Sequence, residues 1–196
     1  FHCIYAPKSG FYFVQKLFSL NGNLNFIAFD RAWKKVVARH PSLRTGFYWE
    51  DINKPLQVVY DQVKVAIEQQ DWRVLNPLEQ QKRLESFKDS DLDRGFDLSQ
   101  ESLMRLTLIR LSDRSYKLIW SSHFIILDGW SVMFVLKDFI QFYEAFCQDR
   151  DISLPAISPF RNHITWLQQQ DANKAEVFWR QALKGLKTPT FLTKLY

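Results

Sequence analysis

The sequence predicts a sandwich of the α/β or α+β class, in which helices pack against strands. Three observations support this class. The 196 residues are 46% hydrophobic and 16% aromatic, which is typical of a globular domain with a large core. Strand-like and helix-like segments are interspersed along the chain. Two strand-like segments are separated by a short turn, and they predict a β-hairpin.

The predicted strands are rich in aromatic and branched residues and are bounded by turn residues. They are residues 11–20, 42–49, 56–60, 103–111 and 116–126. The fourth and fifth form the hairpin through the turn at residues 112–115. Asp128 and Gly129 end the last strand.

The predicted helices follow from apolar periodicity and capping residues. Asn25 caps a helix that stops before Pro41, and Asn76 begins a second helix with the Pro77 and Glu79 of a capping box. Residues 130–146 are apolar almost all round, which predicts a buried helix. A helix beginning near residues 158–159 and another capped by Asp171 complete the chain.

The charge pattern argues against nucleic acid as the partner. The chain has 26 basic and 21 acidic residues, a net charge of +5 and a pI near 9.2. The cations are scattered over amphipathic helices rather than gathered into one basic stripe. A docking surface for an acidic protein partner is the better interpretation.

The two cysteines, Cys3 and Cys147, form no CxxC or Cys/His pattern, so the sequence supports neither a zinc site nor a disulfide framework. No apolar run reaches the length of a membrane span, and no signal peptide is evident. These features favour a cytoplasmic location without a membrane partner. Because the chain opens on Phe1 rather than Met, we expect residues before it.

Four segments carry a family resemblance. Residues 39–47 (RHPSLRTGF) are similar to RHxxLRTxF, and residues 94–98 (RGFDL) leading into 103–105 (LMR) are similar to RGFDL…PLxR. Residues 123–131 (HFIILDGWS) are similar to HHxxxDGWS, and residues 160–166 (FRNHITW) weakly match YxDFAxW. Their shared order and spacing resemble the condensation domain of nonribosomal peptide synthetases.

That resemblance implies a two-lobed domain related to chloramphenicol acetyltransferase, with a tunnel between the lobes. Residues 1–196 are expected to form the N-terminal lobe, with a mixed sheet flanked by helices, a truncated first motif and no C-terminal lobe. The implied partners are donor and acceptor peptidyl carrier proteins and adjacent synthetase domains. Phosphopantetheine arms of the carriers enter the tunnel, no cofactor binds directly, and an amide forms between two thioester-bound substrates.

The sequence departs from the family at its catalytic position. His123 matches the first histidine of the motif, but the second, to which the family's chemistry is assigned, is Phe124. Successive side chains on a strand point to opposite faces. If Phe124 faces the tunnel, His123 therefore faces the interior, and only a local bulge would redirect it. Phe124 has no group that can accept or donate a proton.

For the remaining motif residues, a structural role is mainly expected, and a functional role is the alternative. Asp128 is expected to form an ion pair with Arg44 rather than act as a catalytic acid. Gly129 serves either the close approach of the pantetheine arm or the turn into the helix. Trp130 is expected in the core, Ser131 is expected to cap the helix, and Arg39 is expected to be structural.

Three functions remain open. The first is an amide-forming condensation domain impaired by Phe124. The second is a non-catalytic domain that binds carrier proteins as a scaffold. The third is another acyltransferase of the same superfamily, but that chemistry also needs a base.

Overall fold

The computed structural model describes residues 12–186, which divide into one unit that ends at Ile157 and a second that starts at Ser158. The opening segment with Cys3, and the C-terminal residues from 187 onward, lie outside the described residues. Within the described residues, the strands of the first unit are β1 (Phe13–Asn21), β2 (Thr45–Tyr48), β3 (Leu56–Val59), β4 (Ile67–Asp71), β5 (Met104–Ser112) and β6 (Ser115–His123). Its helices are α1 (Phe26–Arg39), α2 (Pro77–Arg94) and α3 (Gly129–Cys147), with a 3₁₀ turn at Pro41–Arg44.

The main sheet is mixed and has the strand order β1-β6-β5-β4. The pairs β1/β6 and β6/β5 are antiparallel, whereas β5/β4 is parallel. The predicted hairpin between β5 and β6 is confirmed. The register places Phe13 opposite His123 and Met104 opposite Ser122. A separate antiparallel pair joins β2 to β3.

Helices cover both faces of this sheet. On one face, α1 and α3 meet around Trp33, whose ring stacks on Phe139 at 4.7 Å between centroids and meets Trp120 edge-on at 5.1 Å. On the other face, α2 contributes Leu84 to a smaller cluster with Ile119 and other strand residues. The predicted class, a mixed sheet flanked by helices, is confirmed.

The helix starts follow the local signals. The side chain of Asn25 accepts a hydrogen bond from the Ala28 N–H, and Asn76 forms a reciprocal capping box with Glu79. Both starts agree with the prediction, because a cap depends only on residues three positions apart. Helix α2 continues to Arg94, beyond the predicted end near residue 89.

Three assignments from the sequence need correction. The predicted strand at residues 42–49 begins with the 3₁₀ turn, so β2 starts only at Thr45. The predicted strand to residue 126 ends at His123 and is followed by a turn. Strand β4 was not predicted, because most of its side chains (IEQQD) are polar.

The second unit contains α4 (Phe160–Gln168) and α5 (Ala172–Ala182). Asp171 caps α5 by accepting a hydrogen bond from the Lys174 N–H at 3.0 Å, as predicted. Within this unit the apolar side chains of both helices are exposed, including Trp166 and Trp179. Among residues 12–186, no helix combines the length and hydropathy needed to cross a bilayer.

Candidate functional site

The candidate site lies where β6 ends and α3 begins. Strand β6 is an interior strand, and its last residue, His123, donates its backbone N–H to Leu103 O at 3.0 Å. Phe124 continues the pairing with the first strand by donating its N–H to Tyr12 O at 2.7 Å. The chain then turns, and the Ile126 N–H returns to His123 O at 3.2 Å. Residue 124 therefore stands at the rim of the sheet.

His123 points into the protein, as the strand alternation predicts. Its residue exposure is 7%, and its Nδ1 accepts a hydrogen bond from the Ile125 N–H at 3.1 Å. This bond requires Nδ1 to be unprotonated, so the neutral ring carries its proton on Nε2. Burial lowers the pKa of His123 below its ordinary value. The imidazole is therefore engaged in holding the turn.

Phe124 has the opposite orientation to its neighbour. It is 47% exposed, and its ring centroid lies 6.5 Å from that of Tyr12. A phenyl ring supplies apolar contact but neither a proton acceptor nor a hydrogen-bond donor. At this rim the chain thus presents a hydrocarbon surface rather than an acid–base group.

Asp128 does not form the predicted ion pair with Arg44. Its carboxylate caps α3 by accepting a hydrogen bond from the Ser131 N–H at 2.7 Å, and hydrogen bonds from Ser131 hold the pKa of Asp128 below its usual value. Arg44 instead donates to backbone oxygens, including Val37 O at 3.1 Å and Tyr60 O. The free N–H groups of the helix start lie next to Asp128 in the chain. The expectation that Ser131 caps the helix is also wrong, because Asp128 is the N-cap residue and Ser131 donates its N–H to it.

Gly129 and Trp130 open α3 on the solvent side of the first unit. A Cβ added to Gly129 would meet no atom within 4 Å, so this glycine is not required by close packing. Trp130 is 80% exposed, so the prediction that it lies in the core is wrong. The side of α3 that faces the core carries Val132, Val135 and Phe139. Residues 129–147 are therefore buried on one side only, and the prediction of a fully buried helix is also wrong.

The first two residues of the RHxxLRTxF-like motif share one carboxylate. Arg39 Nε lies 2.7 Å and His40 Nε2 lies 2.9 Å from Asp138 Oδ2. Arg39 also donates to the backbone oxygens of Leu154 and Pro155. These contacts tie α1 to α3 and to the segment that follows α3, so Arg39 occupies a structural position away from residue 124.

Sequence reasoning missed a buried carboxylate beneath β6. Asp91 of α2 lies 2.6 Å from the guanidinium of Arg105 and accepts a hydrogen bond from Ser121. The similarity of residues 94–98 and 103–105 to one motif offered a signal, because both ends of that motif border this pair. Within residues 12–186, no group of three or more His, Cys, Asp or Glu side chains is placed to hold a metal ion.

Comparison with known proteins agrees with this arrangement. The model of the family described as "Condensation domain" matches residues 1–195. The chain belongs to the condensation-domain family. A linear gramicidin synthase protein from Brevibacillus parabrevis is 43% identical over 190 residues, which are 97% of this chain and 2% of that protein. The chain therefore spans only a small part of this relative.

Solved structures of a condensation domain and of a cyclization-docking bidomain share the fold. A mutant of the starter condensation domain of the rhizomide synthetase RzmA superimposes with a TM-score of 0.84 at 17% identity, covering 97% of this chain and 46% of that one. The EpoB cyclization-docking bidomain of a nonribosomal peptide synthetase from Sorangium cellulosum gives a TM-score of 0.78 at 26% identity, covering 93% of this chain and 36% of that one. The chain accordingly has the fold of the matching part of these structures, the chloramphenicol acetyltransferase-like architecture.

Proposed function

We propose that this chain forms the N-terminal lobe of a nonribosomal peptide synthetase condensation domain whose amide-forming activity is impaired. The substrates are donor and acceptor aminoacyl or peptidyl groups, each held as a thioester on a carrier protein. Their phosphopantetheine arms enter between this lobe and a second lobe. The chain itself binds no cofactor, and its partners are the two carriers and the neighbouring synthetase domains.

The observation that carries the proposal is the exposed Phe124 ring at the position of the family's catalytic histidine. Amide formation needs a proton removed from the amino group of the acceptor, which attacks as the free amine, and a proton delivered to the leaving thiolate. A phenyl ring supports neither transfer, and the loss of a general acid–base group typically slows a reaction by about 10²–10⁴. Positioning of an activated thioester beside an amine still permits a slow reaction.

His123 is a poor substitute for the missing base. Its imidazole is buried, and its Nδ1 already accepts the Ile125 N–H. Exposing it would take a local bulge or a one-residue shift at the end of β6, and the shift would also reverse the directions of the neighbouring side chains. That change would break the Phe124–Tyr12 backbone hydrogen bond as well.

The test is a condensation assay with the complete domain and with donor and acceptor carrier proteins loaded with substrates. We expect Phe124→His to raise the single-turnover rate by about 10²-fold or more. His123→Gln is the matched control, and it should leave the low rate of the unmodified domain unchanged if the protein remains folded. Equal rates for Phe124→His and the unmodified domain would refute the impairment. Carrier binding without turnover in either protein would instead support a scaffold function.

A further inference from the structure

A buried ionic network lies beneath the end of β6, on the face of the sheet covered by α2. Asp91 is 7% exposed and accepts hydrogen bonds from Arg105 Nε at 2.7 Å, from Gln15 Nε2 at 2.9 Å and from the Ser121 hydroxyl. Arg105 also donates to Gly95 O at 2.6 Å. One helix and three strands are thus joined through two charged side chains.

The guanidinium of Arg105 also lies against aromatic rings. It is 4.1 Å from the ring centroid of Phe96 and 5.6 Å from that of Phe13, distances at which a cation is attracted to the ring face. Phe96 meets the His123 imidazole edge-on, with 6.5 Å between centroids and an interplanar angle of 86°. Phe13 stands opposite His123 in the β1–β6 register. The Phe96 ring therefore connects the guanidinium to the imidazole.

The imidazole also determines the conformation of the chain turn that follows it. His123 Nδ1 receives the Ile125 N–H, and the two residues flank Phe124 in the chain. A rotation of the imidazole ring would withdraw Nδ1 from this N–H and release the turn. Contacts thus run from Asp91 through Arg105 and Phe96 to the segment that presents residue 124.

We propose that Arg105 is a positioning residue, which acts through Phe96 to fix the His123 imidazole and thereby the direction of side chain 124. The activity measurement below rests on the proposed function, but the spectroscopic measurement does not. The competing explanation is that Arg105 only stabilises the fold by neutralising Asp91. A lysine separates the two, because it keeps the positive charge but lacks the planar group that stacks on a ring.

The first measurement is nuclear magnetic resonance of the complete domain labelled with ¹⁵N-histidine, with the His123 signals assigned by their loss in His123→Gln. We expect Arg105→Lys to remain folded and to shift the ring ¹⁵N signals of His123. Phe96→Leu retains the Arg105–Asp91 pair and should cause the same shift. Arg110→Lys is the matched control on the same strand, because Arg110 pairs with Asp113 at the far end, and it should leave the His123 signals unchanged.

The second measurement uses Phe124→His as the background. There, Arg105→Lys should lower kcat by about tenfold, because small displacements of a reacting group are costly, while KM for the loaded acceptor carrier stays within about twofold. Unchanged His123 signals in folded Arg105→Lys and Phe96→Leu would overturn the inference. Failure of both variants to fold would also overturn it in favour of a purely stabilising role. If Phe124→His gains no activity, the proposed function fails, and the histidine signals alone decide the role of Arg105.

Discussion

Gly46 offers a quantitative test of the packing beside the RGFDL-like motif. The next residue, Phe47, donates its N–H to Leu98 O at 2.8 Å, so β2 lies directly against the last residue of this motif. A Cβ added at Gly46 would come within 2.9 Å of Gln100 O and 3.3 Å of Ser99 O. Both contacts are with backbone atoms, which cannot rotate away as a side chain can. Gly46→Ala must therefore displace one backbone segment from the other.

The expected cost follows from overpacking. We expect Gly46→Ala to lower the free energy of unfolding by about 1–3 kcal/mol. For a domain of this size each kcal/mol corresponds to a fall in Tm of about 2–4 °C. Urea unfolding and a thermal melt of the purified protein measure both quantities. Gly129→Ala is the matched control, because a Cβ there meets no atom within 4 Å, and it should not lower stability.

Two outcomes would refute this reasoning. The first is a Gly46→Ala protein within about 0.5 kcal/mol of the unmodified one, which is the range of surface substitutions. The second is a Gly129→Ala protein that is destabilised as much as Gly46→Ala.

The control also separates the two expected roles of Gly129, which are the close approach of the pantetheine arm and the turn into the helix. A folded Gly129→Ala domain that turns over loaded carriers more slowly would show that the pantetheine arm needs the space.

Three further predictions concern charged and titratable groups. Asp128→Ala should melt at a lower temperature than Asp128→Asn, because asparagine still caps a helix, and equal melting temperatures would contradict the capping role. Burial lowers the pKa of His123 below its ordinary value of 6.5. The neutral ring therefore contributes to the stability of the folded protein above about pH 6.5, and this contribution is lost as the pH falls below that value. His123→Gln should therefore weaken the pH dependence of the urea midpoint between about pH 7.5 and about pH 5. Burial also lowers the pKa of His40, so His40 should maintain the remaining pH dependence. An unaltered pH dependence would be evidence against the assignment to His123. Asp138→Ala should cost about 2–4 kcal/mol of unfolding free energy in urea, because it leaves the largely buried Arg39 without its carboxylate, and a cost below about 0.5 kcal/mol would argue against the pairing.

The sequence predicted those features that depend on neighbouring residues. The capping box of Asn76 and Glu79 and the β5–β6 hairpin were predicted because their signals lie within a few positions of one another. The inward direction of His123 followed from the alternation of a strand, which is also a local rule. The predicted strand was three residues too long, so Phe124, which was placed within it, lies just beyond the end of β6.

The predictions that failed concern features that depend on which surfaces meet in three dimensions. Helix α3 is apolar on nearly every side, so its sequence did not reveal that Trp130 faces outward. The proposed Asp128–Arg44 pair assumed that two charged motif residues would meet, whereas each is satisfied by backbone groups close to it in the fold. Asp91 was missed although the RGFDL-like motif lies beside it, because its partner Arg105 is on a different element and no pattern of neighbouring residues pairs the two.

The way in which Arg39 holds the chain after α3 has a consequence for recombining synthetases. Its guanidinium reaches the backbone oxygens of Leu154 and Pro155, and it touches neither side chain in these bonds. Every amino acid carries such an oxygen, so the anchor is indifferent to the local sequence but sensitive to its length. Chimeras joined within residues 149–157 should accept foreign sequence of equal length, whereas a deletion there would pull the oxygens away from their donor.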